Sequence, residues 1–250
     1  MSEQHPTSSA AGDSPAADVG LPGAASGSAP GPASGSAPGP VSGPGSSPAS
    51  GPASSGAPGS APLPPRPGDP AAWELLAEKN VYDGFLTVNV RRYRLPDGRE
   101  ADWDVFGPRQ TAGVAGGITV LPLTPDGKVV AIRLFRAGPD QVVTNLPGGL
   151  IDPGENPADA GRRELLEETG YTCGSIEVVG WMWSAASSTY PKFVAVARDC
   201  RPTSAQDLDD FEDIVPIELT VAELRQELRT PGAMTGTDAT YLALDHAGLL

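Results

Sequence analysis

The first 70 residues of this 250-residue chain contain almost nothing from which a hydrophobic core can be built. From Met1 to Pro70 the chain is mostly Ala, Gly, Pro and Ser, with five charged residues and no Phe, Tyr, Trp or Ile. The octapeptide ASGSAPGP occurs at Ala25–Pro32 and again at Ala33–Pro40. Such a segment buries too little apolar surface to offset its loss of conformational entropy, so residues 1–70 are predicted to be a disordered tail. Residues 71–250 are then predicted to form one domain.

Charge and hydropathy exclude several classes of protein. The formal net charge is −14 at pH 7 and no basic face is visible, which argues against a nucleic-acid partner. No stretch approaches the ~20 apolar residues of a membrane helix, and no export signal is recognised at the start of the chain. The two cysteines, Cys173 and Cys200, are interpreted as buried thiols of a cytoplasmic protein, although the sequence is compatible with one disulfide between them. The tail is interpreted as solubilising or tethering, the alternative being an interaction arm.

Alternation of apolar and polar residues predicts strands, turn residues separate them, and helical spacing predicts three helices. The strands are predicted at Phe85–Leu95, Glu100–Phe106, Ala115–Leu123, Lys128–Phe135, Val142–Leu146, Ile176–Ser184, Phe193–Ala197 and Ile214–Leu219. The helices are predicted at Pro157–Thr169, Val221–Leu228 and Thr237–His246. PDG turns at Pro96–Gly98 and Pro125–Gly127 predict two hairpins. The fold class is therefore α/β or α+β with a mixed sheet.

The helix at Pro157–Thr169 places three carboxylates, those of Glu164, Glu167 and Glu168, on one flank. One interpretation is a solvated acidic surface with Arg–Glu pairs. The other is a metal site, because no lysine follows at i+4 and the preceding loop LPGGLIDPGE (Leu146–Glu155) is rich in glycine. Oxygen ligands without nearby His or Cys suit Mg²⁺ or Mn²⁺ rather than zinc. The sequence thus indicates metal-assisted phosphate chemistry; a P-loop motif is absent.

These residues resemble a known family. The complete Nudix box is matched within a window of 23 residues. Gly149 is followed after five residues by Glu155, and after seven more residues by Arg163–Tyr171, which fits the pattern REUXEEXGU. The resemblance extends over most of Trp73–Leu250 and is closest to the ADP-ribose pyrophosphatase branch. It implies a Nudix-type α/β/α sandwich around a mixed sheet. It also implies metal-dependent hydrolysis of a nucleoside diphosphate linked to another moiety, with ADP-ribose giving AMP and ribose 5-phosphate as the leading case.

The resemblance also implies residue roles. Glu164 and Glu168 would be metal ligands with Glu167 as a third, and the carbonyl of Gly148 would contact the metal. Arg163 would orient the glutamates, and Glu155 would anchor the loop to the helix. Gly149, Glu155 and Gly170 are the structural positions of the motif. A homodimer through the N-terminal sheet, about Tyr82–Phe106, is a further implication.

The remaining roles leave alternatives open. The catalytic base is expected in the acidic loop Asp207–Asp213, at Glu212 or Asp210, with Glu212 preferred; the alternative is Glu167. Arg136 matches an arginine that contacts the substrate phosphates in this branch. The alternative is that Arg136 stands at the end of a strand and faces solvent. Asp210 is also expected near the substrate.

Two departures from the branch bear on the substrate. Asn145 stands where a glutamate is usual, and Ala185-Ala186 replaces a short Pro-Gly turn. Alternative substrates are therefore another nucleotide sugar, a dinucleotide or a nucleoside triphosphate. A non-catalytic Nudix-fold nucleotide sensor is a second, weaker alternative, since such modules lose glutamates that this chain retains.

Overall fold

The computed structural model describes residues 66–108 and 116–250, so the predicted tail lies outside the described residues up to position 65. Within the described part, the elements follow in this order: β1 (Glu74–Asp83), β2 (Leu86–Arg94), β3 (Glu100–Pro108), β4 (Gly116–Pro122), β5 (Val129–Arg136), β6 (Gln141–Asn145), β7 (Leu150–Ile151), α1 (Pro157–Thr169), β8 (Tyr171–Thr172), β9 (Ser175–Trp183), β10 (Pro191–Arg198), β11 (Arg201–Pro202), β12 (Ile214–Leu219), α2 (Val221–Arg229) and α3 (Thr237–His246).

Local interactions set both ends of α1. The side chain of Asn156 accepts hydrogen bonds from the backbone N–H groups of Ala158 and Asp159, and Pro157 stands at the first helical position. Gly170 ends the helix in the left-handed conformation, at φ 74°, where a side chain would be strained. The start, the end and the capping residue agree with the sequence prediction.

A central sheet lies between helices on both of its faces. Its strand order is β7-β4-β10-β9, with β4 and β10 parallel and the outer pairs antiparallel. Alternate residues of β4 and β10 face opposite sides, as the pleat requires. One side packs on α1 and the other packs on α2 and α3, through two separate clusters of buried residues. The predicted α/β/α sandwich with a mixed sheet is confirmed.

A second sheet, in the order β12-β5-β6, positions the loops around the end of α1. All of its pairs are antiparallel. Gln206 ties the chain after β11 to this sheet: its amide donates to the carbonyls of Glu168 and Ile214. The acidic loop between Gln206 and β12 is thereby held beside the last turn of α1.

The first three strands form an antiparallel sheet of their own, β1-β2-β3. The predicted β2–β3 hairpin around Pro96–Gly98 is confirmed by a continuous register from Leu86↔Pro108 to Arg94↔Glu100. Strand β1 was missed from the sequence. It is irregular, with two register shifts against β2, and almost all of it is exposed, so no clean alternation marks it.

The second predicted hairpin is wrong. The turn itself forms, because the Thr124 N–H donates to the carbonyl of Lys128 and a single bridge joins Leu123 and Val129. Beyond that bridge the strands separate: β4 enters the central sheet and β5 enters the second sheet. Residues of both strands are buried on both faces, and each finds its partners elsewhere in the chain. Ala115, the first residue of the predicted strand, lies outside the described residues.

Among the described residues, no helix is both long enough and apolar enough to cross a membrane. Both described cysteines are free thiols, Cys200 buried and Cys173 partly so.

Replacing Leu165 by alanine tests the packing of α1 on the central sheet. Leu165 is completely buried, whereas its neighbour Leu166 is 37% exposed, so Leu166→Ala is a matched control. We expect Leu165→Ala to lower the free energy of unfolding by about 2–5 kcal/mol and Leu166→Ala by less than about 1 kcal/mol. Urea denaturation measures both. Equal losses would show that α1 does not pack through this face.

Candidate active site

A cleft of about 1100 Å³ opens where α1, the loop before it and the acidic loop meet the ends of the sheets. Its lining includes all three box glutamates, Glu164, Glu167 and Glu168, and also Gly148, Gly149, Arg136, Arg163 and Glu212. A smaller cavity of about 300 Å³, lined by residues such as Thr124 and Arg198, contains none of these groups. The cleft therefore brings together most of the residues singled out from the sequence.

The glycine pair at the start of the loop allows the glutamates to approach the sheet. Gly148 has φ +151°, and a Cβ there would collide with the carbonyl oxygen of Ile118. At Gly149 a Cβ would collide with the carboxylate of Glu164. The loop backbone thus fills the space between β4 and α1, and side chains at these two positions would displace one or the other.

Arg163 organises the carboxylates around it. Its guanidinium donates to both oxygens of Glu155, at 3.1 and 3.0 Å, and to the carbonyl of Leu150 at 2.8 Å. Its Nη1 also bridges Glu164 at 2.9 Å and Glu167 at 3.0 Å. Glu155 in turn accepts from the backbone N–H of Asp152. The arginine therefore joins the loop, β7 and the glutamate face of α1, and the hydrogen bonds that it donates to Glu155 raise the pKa of Arg163.

Glu168 is buried and Glu164 is partly buried, and their hydrogen bonds do not fully compensate for the lost solvation of the charged carboxylates. Burial raises the pKa of Glu168 to about 8, although a hydrogen bond from the Gly148 N–H (2.7 Å) acts in the opposite direction. Burial likewise raises the pKa of Glu164 to about 7, against the lowering effect of Arg163. The nearby carboxylate of Glu212 raises both pKa values further. The site therefore has excess negative charge in a poorly solvated place.

A hard divalent cation fits this donor set in chemistry and charge. The donors are carboxylate oxygens, and an added cation would offset the cost of burying Glu164 and Glu168. Among residues 66–108 and 116–250, however, no three His, Cys, Asp or Glu side chains form a complete metal site. Arg163 holds Glu164 and Glu167 in its own ion pairs. Water and substrate phosphates would then complete the coordination, as is usual for Mg²⁺.

The acidic loop places its candidate residues differently. Glu212 lines the cleft, and its carboxylate accepts a hydrogen bond from the Asp209 N–H at 3.2 Å. Asp210 is exposed and does not line the cleft. On the opposite wall, Arg136 at the end of β5 also lines the cleft. Its charge lowers the pKa of Glu168, and among the described residues it has no ion-pair partner within 4.0 Å.

Sequence reasoning missed several residues that line the cleft. Lys192, Thr235 and Gly236 reach it from β10 and from the segment before α3, which follow the box by more than 20 residues. Tyr190 lines it as well, and burial raises the pKa of its hydroxyl to about 12. Neither spacing nor composition marks these positions, because only the sheet order brings them beside the box.

Comparison with known proteins agrees with this geometry. Residues 115–237 match the model of the NUDIX domain. The chain is 29% identical over 180 residues to the methanol dehydrogenase activator of Bacillus methanolicus, a match that covers 68% of this chain and 91% of that protein. It is 25% identical over 178 residues to the ADP-ribose pyrophosphatase of Bacillus subtilis (strain 168), covering 69% and 93% respectively. The solved structure of an ADP compounds hydrolase superposes with a TM-score of 0.59 at 20% identity, covers 73% of this chain and 99% of its own, and supports the fold.

Residues 115–237 are a Nudix domain, and the similarity to an ADP-ribose pyrophosphatase supports a Nudix hydrolase. The family resemblance drawn from the box is thus confirmed, and so is the similarity to an ADP-ribose pyrophosphatase.

Exchanging Arg163 for lysine tests its organising role. Lysine keeps the positive charge but cannot reach Glu155, Glu164 and Glu167 together. We expect Arg163→Lys to lower the free energy of unfolding by about 2–3 kcal/mol, because partly buried carboxylates lose their partners. Arg162→Lys is the matched control, since Arg162 is exposed and, within the described residues, its side chain donates only to the sulfur of Cys173. Denaturant titration of the two variants measures the difference; equal stability would contradict the role.

Proposed function

We propose that this Nudix hydrolase is metal-dependent and cleaves the diphosphate of a nucleoside diphosphate sugar, with ADP-ribose giving AMP and ribose 5-phosphate as the leading reaction. The observation that carries the proposal is the buried carboxylate of Glu168 beside the partly buried carboxylate of Glu164, in a cleft that also contains Arg136, which has no ion-pair partner among the described residues. The B. subtilis relative named ADP-ribose pyrophosphatase supports the choice of substrate. The catalytic domain in this proposal is residues 71–250.

The glutamate face would hold the cation. Glu164, Glu168 and the main-chain carbonyl of Gly148 are the proposed ligands, with Glu167 as a third carboxylate; Mg²⁺ or Mn²⁺ suits these oxygens. When bound, the metal would neutralise diphosphate charge and lower the pKa of a coordinated water. Arg163 is a positioning residue, because it orients these glutamates through hydrogen bonds.

The chain's own residues divide the remaining work. Arg136 would bind the phosphate oxygens, which are otherwise repelled by the acidic lining. A water oxygen attacks one phosphorus, the bond from that phosphorus to the bridging oxygen breaks, and the leaving group departs as a phosphate monoester. Glu212 would accept the proton of the attacking water, because it lines the cleft and its backbone-bound carboxylate is pre-oriented. Glu167 is the alternative base; Asp210, outside the cleft lining, has no role here.

The chain is also proposed to act as a cytoplasmic homodimer. Free thiols at both described cysteines suit a reducing compartment. The sheet β1-β2-β3 exposes large apolar side chains, including Trp73, Tyr82, Leu86 and Trp103. Contiguous apolar surface of this kind is typical of association sites. Sedimentation that detects only monomer would contradict this part of the proposal.

The substrate and the metal are tested together. The purified protein is incubated with ADP-ribose, other nucleotide sugars, NADH and nucleoside triphosphates, with Mg²⁺ or with EDTA. We expect AMP release from ADP-ribose that requires Mg²⁺ and falls by about 10²–10⁴-fold in Glu168→Gln, which keeps the shape but removes the charge. Turnover of a different compound would leave the assignment as a hydrolase unchanged and would replace ADP-ribose as the assigned substrate. Binding without turnover across the panel would favour a nucleotide sensor.

The base is tested by a matched pair on one loop. We expect Glu212→Gln to lower kcat by about 10²–10⁴-fold with little change in KM, because proton transfer is lost while substrate contacts remain. Asp210→Asn makes the same chemical change outside the cleft and should leave kcat within about twofold. If Glu212→Gln retains activity and Glu167→Gln does not, the base is Glu167.

A further inference from the structure

The cleft has a second corner, on the side of the central sheet that carries α3. Three segments meet there: the end of β6 at Asn145, the start of β10 at Lys192, and the segment Thr235–Gly236 before α3. That segment runs alongside β6, because the Thr144 N–H donates to the carbonyl of Ala233 at 2.8 Å and the Thr235 N–H donates to the carbonyl of Thr144 at 3.2 Å. The backbone therefore fixes this corner, which involves none of the box residues.

One hydroxyl in this corner has no partner. The Oγ1 of Thr235 is buried and, within the part of the chain that the structure describes, it is without a hydrogen bond. A buried polar atom in this condition is destabilising, and native proteins leave few of them. A ligand group in the cleft that exchanges a hydrogen bond with this hydroxyl would remove the penalty.

Polar groups of two other residues lie next to the same space. Asn145 uses its Oδ1 to accept the N–H of Leu146 at 3.0 Å, so its Nδ2 amide is left without a partner among the described residues. Lys192 contacts Asp238 through its Nζ at 3.1 Å. A methyl group added at Gly236 would lie 3.1 Å from Asn145 Oδ1 and 3.9 Å from Lys192 Nζ. The corner is therefore small, and only a glycine leaves it open.

The charge of the corner distinguishes between ligand classes. Asp238 balances Lys192, and the same Asp238 oxygen also accepts the Ala239 N–H at 2.8 Å. In the rest of the cleft lining, carboxylates outnumber positively charged side chains. A further anionic group is therefore disfavoured, whereas neutral hydroxyl groups, each able to donate and to accept, match the available atoms.

We propose that Asn145, Lys192 and Thr235 form the subsite for the hydroxyl groups of the sugar on the non-nucleoside side of the substrate. Asn145 and Lys192 donate to sugar oxygens, and the hydroxyl of Thr235 gains a partner. The corner and the glutamates line the same cleft, so one substrate can contact both. Lys192 is paired in register with Gly117 of β4, and a Cβ on Gly117 would lie 3.2 Å from the carbonyl oxygen of Gly149. This assignment rests on the proposed function. It identifies the three residues that determine which sugar the hydrolase accepts.

The test compares two ligands that share the nucleoside diphosphate. ADP-ribose carries the sugar, and the methyl ester of ADP lacks it. Calorimetry in EDTA measures binding without turnover, and AMP release with Mg²⁺ gives kcat/KM for the same pair. The variants are Thr235→Val, which is nearly isosteric, and Asn145→Asp, which keeps the acceptor for Leu146 and removes the amide donor. Thr237→Val is the matched control, because Thr237 does not line the cleft. Thermal unfolding of each variant confirms that it is folded.

We expect wild-type protein to bind ADP-ribose at least about tenfold more tightly than the methyl ester. Thr235→Val should weaken ADP-ribose binding by about three- to tenfold and leave the methyl ester unchanged, since it removes one hydrogen bond to the sugar. Asn145→Asp also adds a negative charge that repels the diphosphate of both ligands, so it should weaken both, and ADP-ribose by about three- to tenfold more than the methyl ester. Thr237→Val should change neither. Equal binding of the two ligands, or equal losses for both, would overturn the subsite.

The outcomes separate this inference from the proposed function. If both compounds are hydrolysed with no preference for the sugar, the proposed hydrolase activity stands and the proposed subsite is rejected. If binding depends on the sugar and is lost in the variants, but no AMP is released, the proposed subsite stands and the proposed reaction is rejected. If the protein binds UDP-glucuronate more tightly than UDP-glucose, the corner prefers an anionic group to neutral hydroxyl groups, and the assignment is overturned.

Discussion

The guanidinium of Arg163 is the interaction on which the arrangement of the cleft depends. Like charges at helical spacing repel, yet this chain places several carboxylates on one flank of α1. Arg163 reconciles them, since a single Nη1 bridges Glu164 and Glu167 while the other nitrogens hold Glu155. The same group donates to the carbonyl of Leu150, and so joins the helix to the loop and to β7. The planar fork of arginine makes this possible, and a lysine ammonium could not satisfy so many acceptors at once.

The sandwich architecture separates two kinds of chemistry within one cleft. The α1 side provides charge: buried Glu168 and Glu164 create a demand for positive groups that Arg163 meets only in part. The α3 side is balanced in charge and provides uncommitted hydrogen-bonding atoms, most clearly the hydroxyl of Thr235. Strands β4 and β10, which run parallel between the two sides, keep them at a fixed separation. A ligand that is anionic at its centre and hydroxylated at one end matches this division.

Asn145 connects this division to the difference from the resembled branch. Its Oδ1 accepts the N–H of Leu146 at the start of the glycine loop and also lies next to Gly236 in the corner of the cleft. A carboxylate at this position would add negative charge to a cleft that already has an excess. The amide instead offers a neutral donor, which is consistent with a change in ligand recognition while the box glutamates and the fold are retained.

Features governed by neighbouring residues could be read from the sequence. The ends of α1 follow from Asn156, Pro157 and Gly170, because capping and left-handed termination are local, and the spacing of the glutamates places them on one face of any helix. The sequence could not reveal that β4 and β5 part after a well-formed turn, since strand pairing depends on distant partners that bury both faces. For the same reason Lys192 and Thr235 were missed: they reach the cleft only through the order of strands in the sheets. The sequence by itself determined the helix and its chemistry, and the tertiary structure decided which other side chains share the space in front of it.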